Sequence, residues 1–172
     1  RYKMKIKQLD EILANKIAVG EVIERPANVV KELVENSIDA SSSKIDIIIE
    51  EGGMNLIEIV DDGLGMDQED AKLCFSRHAT SKITNDQDLF CIQTLGFRGE
   101  AIPSIASISH FELKTSDGQS GSTVVYEFGK FIEQKQSDLK RGTKITVTKL
   151  FQNVPARLKY VKSVNAEFAH IQ

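Results

Sequence analysis

The chain has 172 residues and a net charge of −3, and its 41% hydrophobic and 27% charged residues are typical of a folded globular domain. Its 11 glycines and 3 prolines are too few for a collagen-like or low-complexity chain, and no apolar run approaches the ~20 residues of a membrane-spanning helix. The negative net charge argues against a protein that binds nucleic acid with its whole surface.

Two helices are predicted at the start of the chain. Apolar residues recur at helical spacing over residues 8–19, and Gly20 ends the pattern. Pro26 suits the first turn of a second helix, which the serines at 41–43 end. The apolar stripe predicted for this second helix consists of Val30, Leu33, Val34 and Ile38.

A β-hairpin is predicted next. Alternating residues predict a strand over 45–50, and residues 51–54 form a turn before the return strand at 56–60. The segment 61–66 breaks this strand, and a short helix is predicted over about 68–75.

The second half is predicted to contain a long loop, two helices and three strands. Weak periodicity over 76–100 predicts the loop, and a loop of this length in a compact domain is usually functional. A helix is predicted over 101–107, and a basic helix begins at Pro155 and reaches about Lys162. The predicted strands span residues 110–115, 122–128 and 143–150.

This order of elements lacks strict alternation of strands and helices. It therefore predicts an α/β (α+β) two-layer sandwich, in which helices cover a mixed, mostly antiparallel sheet. No repeat or clear linker divides the chain, and residues 1–172 are expected to form one domain.

The two cysteines, Cys74 and Cys91, lack CxxC spacing, which argues against a disulfide framework or a cysteine-rich zinc site. The three histidines show no metal-ligand spacing, and no signal peptide is visible. An intracellular protein with reduced cysteines is expected.

Glu32 and Asn36 form the first cluster that points to chemistry. They stand four residues apart on the predicted second helix and therefore share a face. An asparagine oxygen can bind Mg²⁺, and a glutamate one turn away can polarise a water molecule. The alternative is a solvated face of an amphipathic helix.

The second cluster, Asp61–Gly65, follows an apolar strand. Its glycines allow a ligand to approach the backbone, and a carboxylate at a strand end can accept a hydrogen bond from the adenine amine. The alternative is an ordinary turn.

The third cluster is Leu95–Ala101, in which two glycines precede a predicted helix. Free N–H groups there suit phosphate, and Arg98 and Lys82 would add positive charge. It matches neither a Walker A loop nor a dinucleotide fingerprint, and an ordinary loop is the alternative. The fourth cluster, Gly142-Thr143, is uninformative alone. Together the four clusters would make a complete ATP site that is not a P-loop.

The order of these motifs resembles the GHKL ATPase superfamily, and within it the MutL/MLH/PMS group of mismatch-repair proteins. The resemblance covers about residues 8–172. Its most specific blocks are Arg77–Lys82 (RHATSK) and Gly96–Ala101 (GFRGEA). The other matching blocks are Ala14–Pro26, Lys31–Ala40 and Asn153–Arg157.

The resemblance implies a Bergerat-type ATP-binding fold and assigns roles to residues. Glu32 would be the general base, Asn36 would bind Mg²⁺, and Asp61 would read the adenine amine. Thr143 would support Asp61. The remaining nucleotide-binding residues that it implies are Ala40, Gly65, Met66, Thr80, Ser81, Lys82, Leu95, Gly96, Phe97, Arg98, Gly99, Glu100 and Ala101.

The resemblance also implies a function in DNA mismatch repair. ATP binding and slow hydrolysis would order a lid over 76–100 and form an N-terminal dimer, homo- or heteromeric, which couples recognition by a MutS-type protein to later repair. The alternatives are a nucleotide-dependent binding module with incidental hydrolysis, or another GHKL member such as a histidine kinase or a type II topoisomerase subunit. The compartment would be the bacterial cytoplasm or a nucleus.

Family proteins continue into a second, transducer subdomain, which supplies a lysine to the γ-phosphate, and into a C-terminal dimerisation domain. The chain is therefore expected to be the N-terminal ATPase domain without those parts, and its turnover alone is an open question. Asp62 stands where the family often has asparagine, and little effect is expected.

The acidic and basic residues are unevenly distributed. Residues 1–86 hold 11 Lys or Arg and 17 Asp or Glu, whereas 140–172 hold seven basic residues against Glu167. This basic end would contact DNA phosphates, or it is a solvated face. Its members are Lys140, Arg141, Lys144, Lys149, Arg157, Lys159 and Lys162.

Overall fold

The structure, a computed structural model, describes residues 23–76 and 101–171, with side chains up to residue 164. The predicted helix at 8–19 and most of the predicted loop at 76–100 lie outside these residues. The helices are α1 (Pro26–Asp39), α2 (Gln68–Leu73), α3 (Ala101–Ser107) and α4 (Pro155–Ile171), with a 3₁₀ turn at Glu51–Gly53. The strands are β1 (Ile45–Glu50), β2 (Leu56–Asp61), β3 (His110–Ser116), β4 (Gly121–Glu127), β5 (Lys130–Gln136) and β6 (Gly142–Thr148).

The six described strands form one sheet in the order β1-β2-β6-β3-β4-β5, and every pairing among them is antiparallel. The last strand, β6, lies between β2 and β3. The predicted α+β sandwich is confirmed, and the described sheet is more regular than the mixed sheet that was expected. None of the described helices is both long and apolar enough to cross a membrane.

Aligned residues on the helix-covered face of the sheet form three rows across β2, β6, β3 and β4. The first two rows are apolar, and the third, at the end of β2, is polar. The rows are Ile57, Val147, Phe111 and Tyr126; Ile59, Ile145, Leu113 and Val124; and Asp61, Thr143, Thr115 and Ser122. The polar row is at least 92% buried, with Asp61 the most exposed of its members at 8%. The sheet therefore has an apolar core with a polar edge beneath its helices.

The orientation of α1 differs from the prediction. Its buried residues are Pro26, Val29, Leu33, Asn36 and Ser37, whereas Ile38 is 60% exposed. The helix is rotated relative to the predicted apolar stripe, so that polar residues near its end face the polar row of the sheet. Burial of an apolar side chain such as Leu33 contributes roughly 1.5–3 kcal/mol, which holds the helix on the sheet.

The prediction was also wrong about one strand and about the end of one helix. Strand β5 was not predicted, because Lys130–Gln136 is an exposed edge strand without clear alternation of apolar residues. Helix α4 continues well past Lys162 to Ile171, since no glycine or proline interrupts the sequence there. The ends of the other described elements lie within a few residues of their predicted positions.

Candidate functional site

Asp61 is a buried carboxylate at the end of β2. Its Oδ2 atom accepts a 2.7 Å hydrogen bond from the Ser37 hydroxyl, and its Oδ1 atom accepts a 2.9 Å hydrogen bond from the Gly63 N–H. A carboxylate oxygen can accept more than one hydrogen bond. The two contacts therefore fix the orientation of the carboxylate and leave acceptor capacity on both oxygens.

Thr143 on β6 is the register partner of Asp61, and it is 5% exposed. Its hydroxyl lies 2.9 Å from the Thr115 hydroxyl on β3. The same Thr115 oxygen accepts a 2.9 Å hydrogen bond from the Met66 N–H and donates one of 3.1 Å to the Gly142 carbonyl. Predicted site residues from two segments, the loop after β2 and the start of β6, thus converge around Thr115, a residue that the sequence did not indicate.

Two glycines allow the loop after β2 to pack against the end of the sheet. Gly65 has φ +66°, and a Cβ atom there would lie 1.8 Å from the Ser116 carbonyl oxygen. Gly142 has φ +115°, and its Cβ would lie 2.1 Å from the Asp61 carbonyl oxygen. Both positions exclude a side chain because other backbone atoms lie against them, and the ligand approach predicted at the glycines of 61–65 stays a prediction.

The predicted magnesium ligand and general base lie on α1. Asn36 is 5% exposed, and the Oε2 atom of Glu32 is buried. Ala40, which follows the helix, is 4% exposed, and its carbonyl accepts a 2.9 Å hydrogen bond from the Leu64 N–H. Helix α1 is therefore joined to the loop after β2 at Ala40 and, through Ser37, at Asp61.

The chemistry of the described donors suits Mg²⁺ bound together with phosphate. Among the described residues no group of three or more His, Cys, Asp or Glu side chains is placed to hold a metal ion. Mg²⁺ in nucleotide sites is typically held by one or two protein oxygens, with waters and substrate phosphates as its other ligands. A single amide oxygen from Asn36 fits that arrangement.

Most of the predicted phosphate-binding residues lie outside the described part of the chain. Ala101, the last of them, is described: it begins α3 and is 6% exposed. The residues outside are Thr80, Ser81, Lys82, Leu95, Gly96, Phe97, Arg98, Gly99 and Glu100.

Asp62 makes different contacts from its neighbour Asp61. Its exposed carboxylate accepts hydrogen bonds from the Ser43 hydroxyl (2.5 Å) and from the N–H groups of Ser43 (2.8 Å) and Lys44 (2.9 Å). The Ser43 hydroxyl, followed by the Lys44 N–H, lowers the pKa of Asp62 below its usual value. Asp62 therefore joins the end of β2 to the connection between α1 and β1.

Asp70 on α2 is the described acid with a strongly raised pKa. Burial, and after it the nearby charges of Asp67, Glu69 and Asp117, together raise the pKa of its carboxyl from 3.8 to about 6. The N–H of Asp70 is bound at 2.9 Å by Asp67, which caps the helix. This buried acid lies outside the predicted site.

The basic end of the chain is partly neutralised. Lys144 forms a 2.9 Å ion pair with Glu58, and Lys149 forms a 3.2 Å ion pair with Glu127. The pKa of Glu127 is lowered by its hydrogen bonds with Lys149 and His110. Two of the seven basic residues predicted to contact phosphate therefore have carboxylate partners.

Comparison with known proteins gives a consistent picture. The family model described as "Histidine kinase-, DNA gyrase B-, and HSP90-like ATPase" matches residues 23–159. The chain is 58% identical over 168 residues to the DNA mismatch repair protein MutL of Bacillus pumilus, covering 97% of this chain and 26% of that protein. It is also 58% identical to MutL of Listeria monocytogenes serotype 4b over 167 residues, covering 96% and 28%. The chain thus spans about a quarter of the length of these relatives.

Solved structures resemble the fold as well. The crystal structure of the N-terminal domain of a DNA repair protein has a TM-score of 0.72 at 35% identity, covering 90% of this chain and 45% of that one. The ATPase domain of Aquifex aeolicus MutL complexed with ADP has a TM-score of 0.62 at 30% identity, covering 85% and 52%.

Proposed function

We propose, from the premise that this chain belongs to the family of histidine kinase-, DNA gyrase B- and HSP90-like ATPases, that it binds Mg-ATP at the end of β2 and hydrolyses it. One observation carries the proposal. The carboxylate of Asp61 is buried and oriented by two hydrogen bonds, retains further acceptor capacity, and has Thr143 as its register partner. The ADP complex of a structural neighbour supports a nucleotide as the ligand.

The adenine end of the site would consist of Asp61, Thr143, Gly65 and Met66. The exocyclic amine of adenine is a hydrogen-bond donor, and a carboxylate that accepts only is its natural partner. Gly65 lets the loop pack against the Ser116 carbonyl, and this close packing would shape the base pocket next to Met66.

The phosphate end would be formed by α1 together with the segments 80–82 and 95–101. Asn36 would hold Mg²⁺, and the ion when bound neutralises phosphate charge. Glu32 would orient a water molecule and accept its proton. Phosphoryl transfer depends mostly on positioning and charge stabilisation, so few catalytic side chains are required.

For the whole protein we propose a role in DNA mismatch repair of the MutL type. ATP binding would order residues 76–100 and form an N-terminal dimer, and hydrolysis would reset it, coupling a MutS-type recognition protein to later steps. The similarity of the chain to two MutL proteins at 58% identity supports this role. The protein would act in the compartment that holds the chromosome, which in a bacterium is the cytoplasm.

A direct contact of the basic end with DNA is a weaker part of the proposal. The ion pairs of Lys144 and Lys149 reduce the charge available to phosphate. Lys140, Arg141 and the basic residues at the start of α4 would supply the contact, and the affinity would fall steeply with salt.

Titration calorimetry with ATP and Mg²⁺, beside a phosphate-release assay on the same protein, tests the proposed activity. Magnesium-dependent binding with slow release of phosphate is expected. Binding without release, in a longer chain that includes the following subdomain, would favour a nucleotide-dependent binding module. Absence of binding in that longer chain would contradict the proposal.

A further inference from the structure

We propose that Thr115 determines the hydrogen-bonding direction of Thr143 and thereby the preference of the site for a base that carries an exocyclic amine. Thr115 is a positioning residue in this role, because it would act on the ligand through Thr143. The inference rests on the proposed nucleotide-binding function.

The argument begins with the three hydrogen-bonding neighbours of the Thr115 hydroxyl. The Met66 N–H, 2.9 Å away, can only donate, and the Gly142 carbonyl, 3.1 Å away, can only accept. The third neighbour, the Thr143 hydroxyl at 2.9 Å, can do either. Thr115 has one proton and two acceptor lone pairs.

Only one assignment satisfies all three contacts. Thr115 gives its proton to Gly142 and accepts from Met66, so Thr143 must donate to it. The hydroxyl proton of Thr143 then points towards the Thr115 oxygen on β3. Its oxygen retains only acceptor capacity towards the space beside Asp61, its register partner.

With this assignment, the two groups that would contact the base, the Thr143 hydroxyl oxygen and the Asp61 carboxylate, both act as hydrogen-bond acceptors. Asp61 is an acceptor when ionised, and its Oδ2 atom is already held by the Ser37 hydroxyl. A purine with an amine at position 6 presents a donor to such a site. A purine with a carbonyl at position 6 presents an acceptor there and a donor only at N1, so the acceptors opposite position 6 face another acceptor.

Thr115 is fully buried, so its hydroxyl acts on the ligand only through its neighbours. Substitution by valine keeps the shape and removes the hydroxyl. The Thr143 proton then loses its acceptor and can turn towards a ligand carbonyl. The Thr115→Val variant should therefore bind inosine triphosphate more favourably relative to ATP than the unsubstituted protein does.

The experiment measures the Kd values of ATP and inosine triphosphate by calorimetry, for the unsubstituted protein and for Thr115→Val and Thr115→Ser. The matched control is Thr123→Val. Thr123 is also a buried threonine, but it pairs with Lys114 and therefore lies on the face of the sheet opposite to Thr115. We expect the preference for ATP to fall about tenfold in Thr115→Val and to be restored in Thr115→Ser and kept in the control.

An unchanged ratio of the two Kd values in a folded Thr115→Val variant would overturn the inference. If that variant does not fold, Thr115→Ala serves instead, because it also removes the hydroxyl, and an unchanged ratio there has the same meaning. If the unsubstituted protein binds neither nucleotide, the proposed function fails, whereas binding with a ratio insensitive to Thr115 contradicts only this inference.

Discussion

Ser37 and Asp61 are joined by a buried 2.7 Å hydrogen bond between α1 and β2. Ser37 directly follows Asn36, the proposed magnesium ligand, and Asp61 is the proposed adenine reader. The bond therefore couples the position of the helix that would act on phosphate to the position of the carboxylate that would bind the base. The two ends of the candidate site share one rigid support.

Replacement of Ser37 by alanine is expected to weaken ATP binding about tenfold, because hydrogen bonds to charged groups contribute about 1.5–3 kcal/mol and Asp61 would lose its fixed orientation. Calorimetric titration with Mg-ATP measures the effect. Ser109→Ala is the matched control, since Ser109 is also buried and donates one 2.7 Å hydrogen bond, to the Ile105 carbonyl. Equal ATP affinities in the two variants would argue against the coupling.

Replacement of Glu32 by alanine is expected to keep ATP binding and to reduce hydrolysis by about 10²–10⁴-fold, the usual contribution of a general base. Phosphate release and ATP affinity are measured together on a chain long enough to hydrolyse ATP. Glu133→Ala, on the exposed edge strand β5, controls for loss of charge. Hydrolysis at the normal rate in Glu32→Ala would disprove the assignment of the base.

Replacement of Asn36 by alanine is expected to abolish magnesium-dependent nucleotide binding, because the amide oxygen is the proposed protein ligand of the ion. Titration with ATP in the presence and in the absence of Mg²⁺ separates the metal contribution from that of the base. An Asn36→Ala variant whose ATP affinity still rises on addition of Mg²⁺ would place the ion elsewhere.

Replacement of Asp70 by asparagine is expected to stabilise the fold at about pH 7. Burial raises the pKa of Asp70 to about 6, so ionisation costs the folded state free energy as pH rises from 3.8 to about 6. At about 1.4 kcal/mol per pKa unit, the gain is at most about 3 kcal/mol above that range, less where water screens the carboxylate, and it vanishes below that range. Urea unfolding at about pH 7.5 and about pH 4 measures both values, and equal gains at the two pH values would contradict the cause.

Replacement of Asp62 by alanine is expected to lower the melting temperature near neutral pH, because three hydrogen bonds to Ser43 and Lys44 are lost. The pKa of Asp62 is lowered in the fold, so its contribution is present above pH 3.8 and disappears as the pH falls further. Asp62→Asn keeps an oxygen for the two N–H groups and should retain more stability. Thermal unfolding at about pH 7 and about pH 3 tests this, and a deficit of Asp62→Ala that is as large at the lower pH would refute it.

A nucleotide is expected to protect residues 76–100 from proteolysis, if ATP binding orders this segment as proposed. Limited digestion with and without a non-hydrolysable ATP analogue, followed by mass spectrometry of the fragments, measures the change. Asn36→Ala provides the control, because it should not be protected. Equal cleavage rates in the unsubstituted protein with and without the analogue would count against the lid.

Parts of the fold and site follow from local sequence, and others do not. The turn that was one interpretation of Asp61–Gly65 follows from local sequence, because glycine after a strand and an acidic residue permits a positive φ, which Gly65 has. Ser37 and Thr115 were not indicated, because their roles depend on partners 24 and 49 residues away. Periodicity placed Ile38 in the core, but the packing of Asn36 and Ser37 against the sheet leaves it exposed.

The position of β6 has a consequence for the order of assembly. Hairpin β1–β2 and meander β3–β5 are each formed by strands adjacent in sequence, whereas β6 pairs with both β2 and β3. Asp61, Thr115 and Thr143 lie on β2, β3 and β6, so they meet only when this last strand inserts. During synthesis on the ribosome the proposed base pocket cannot form before residues 142–148 emerge, and pairing over so long a sequence separation is expected to be slow. A nucleotide would thus select completed domains and could not guide the early folding of the nascent chain.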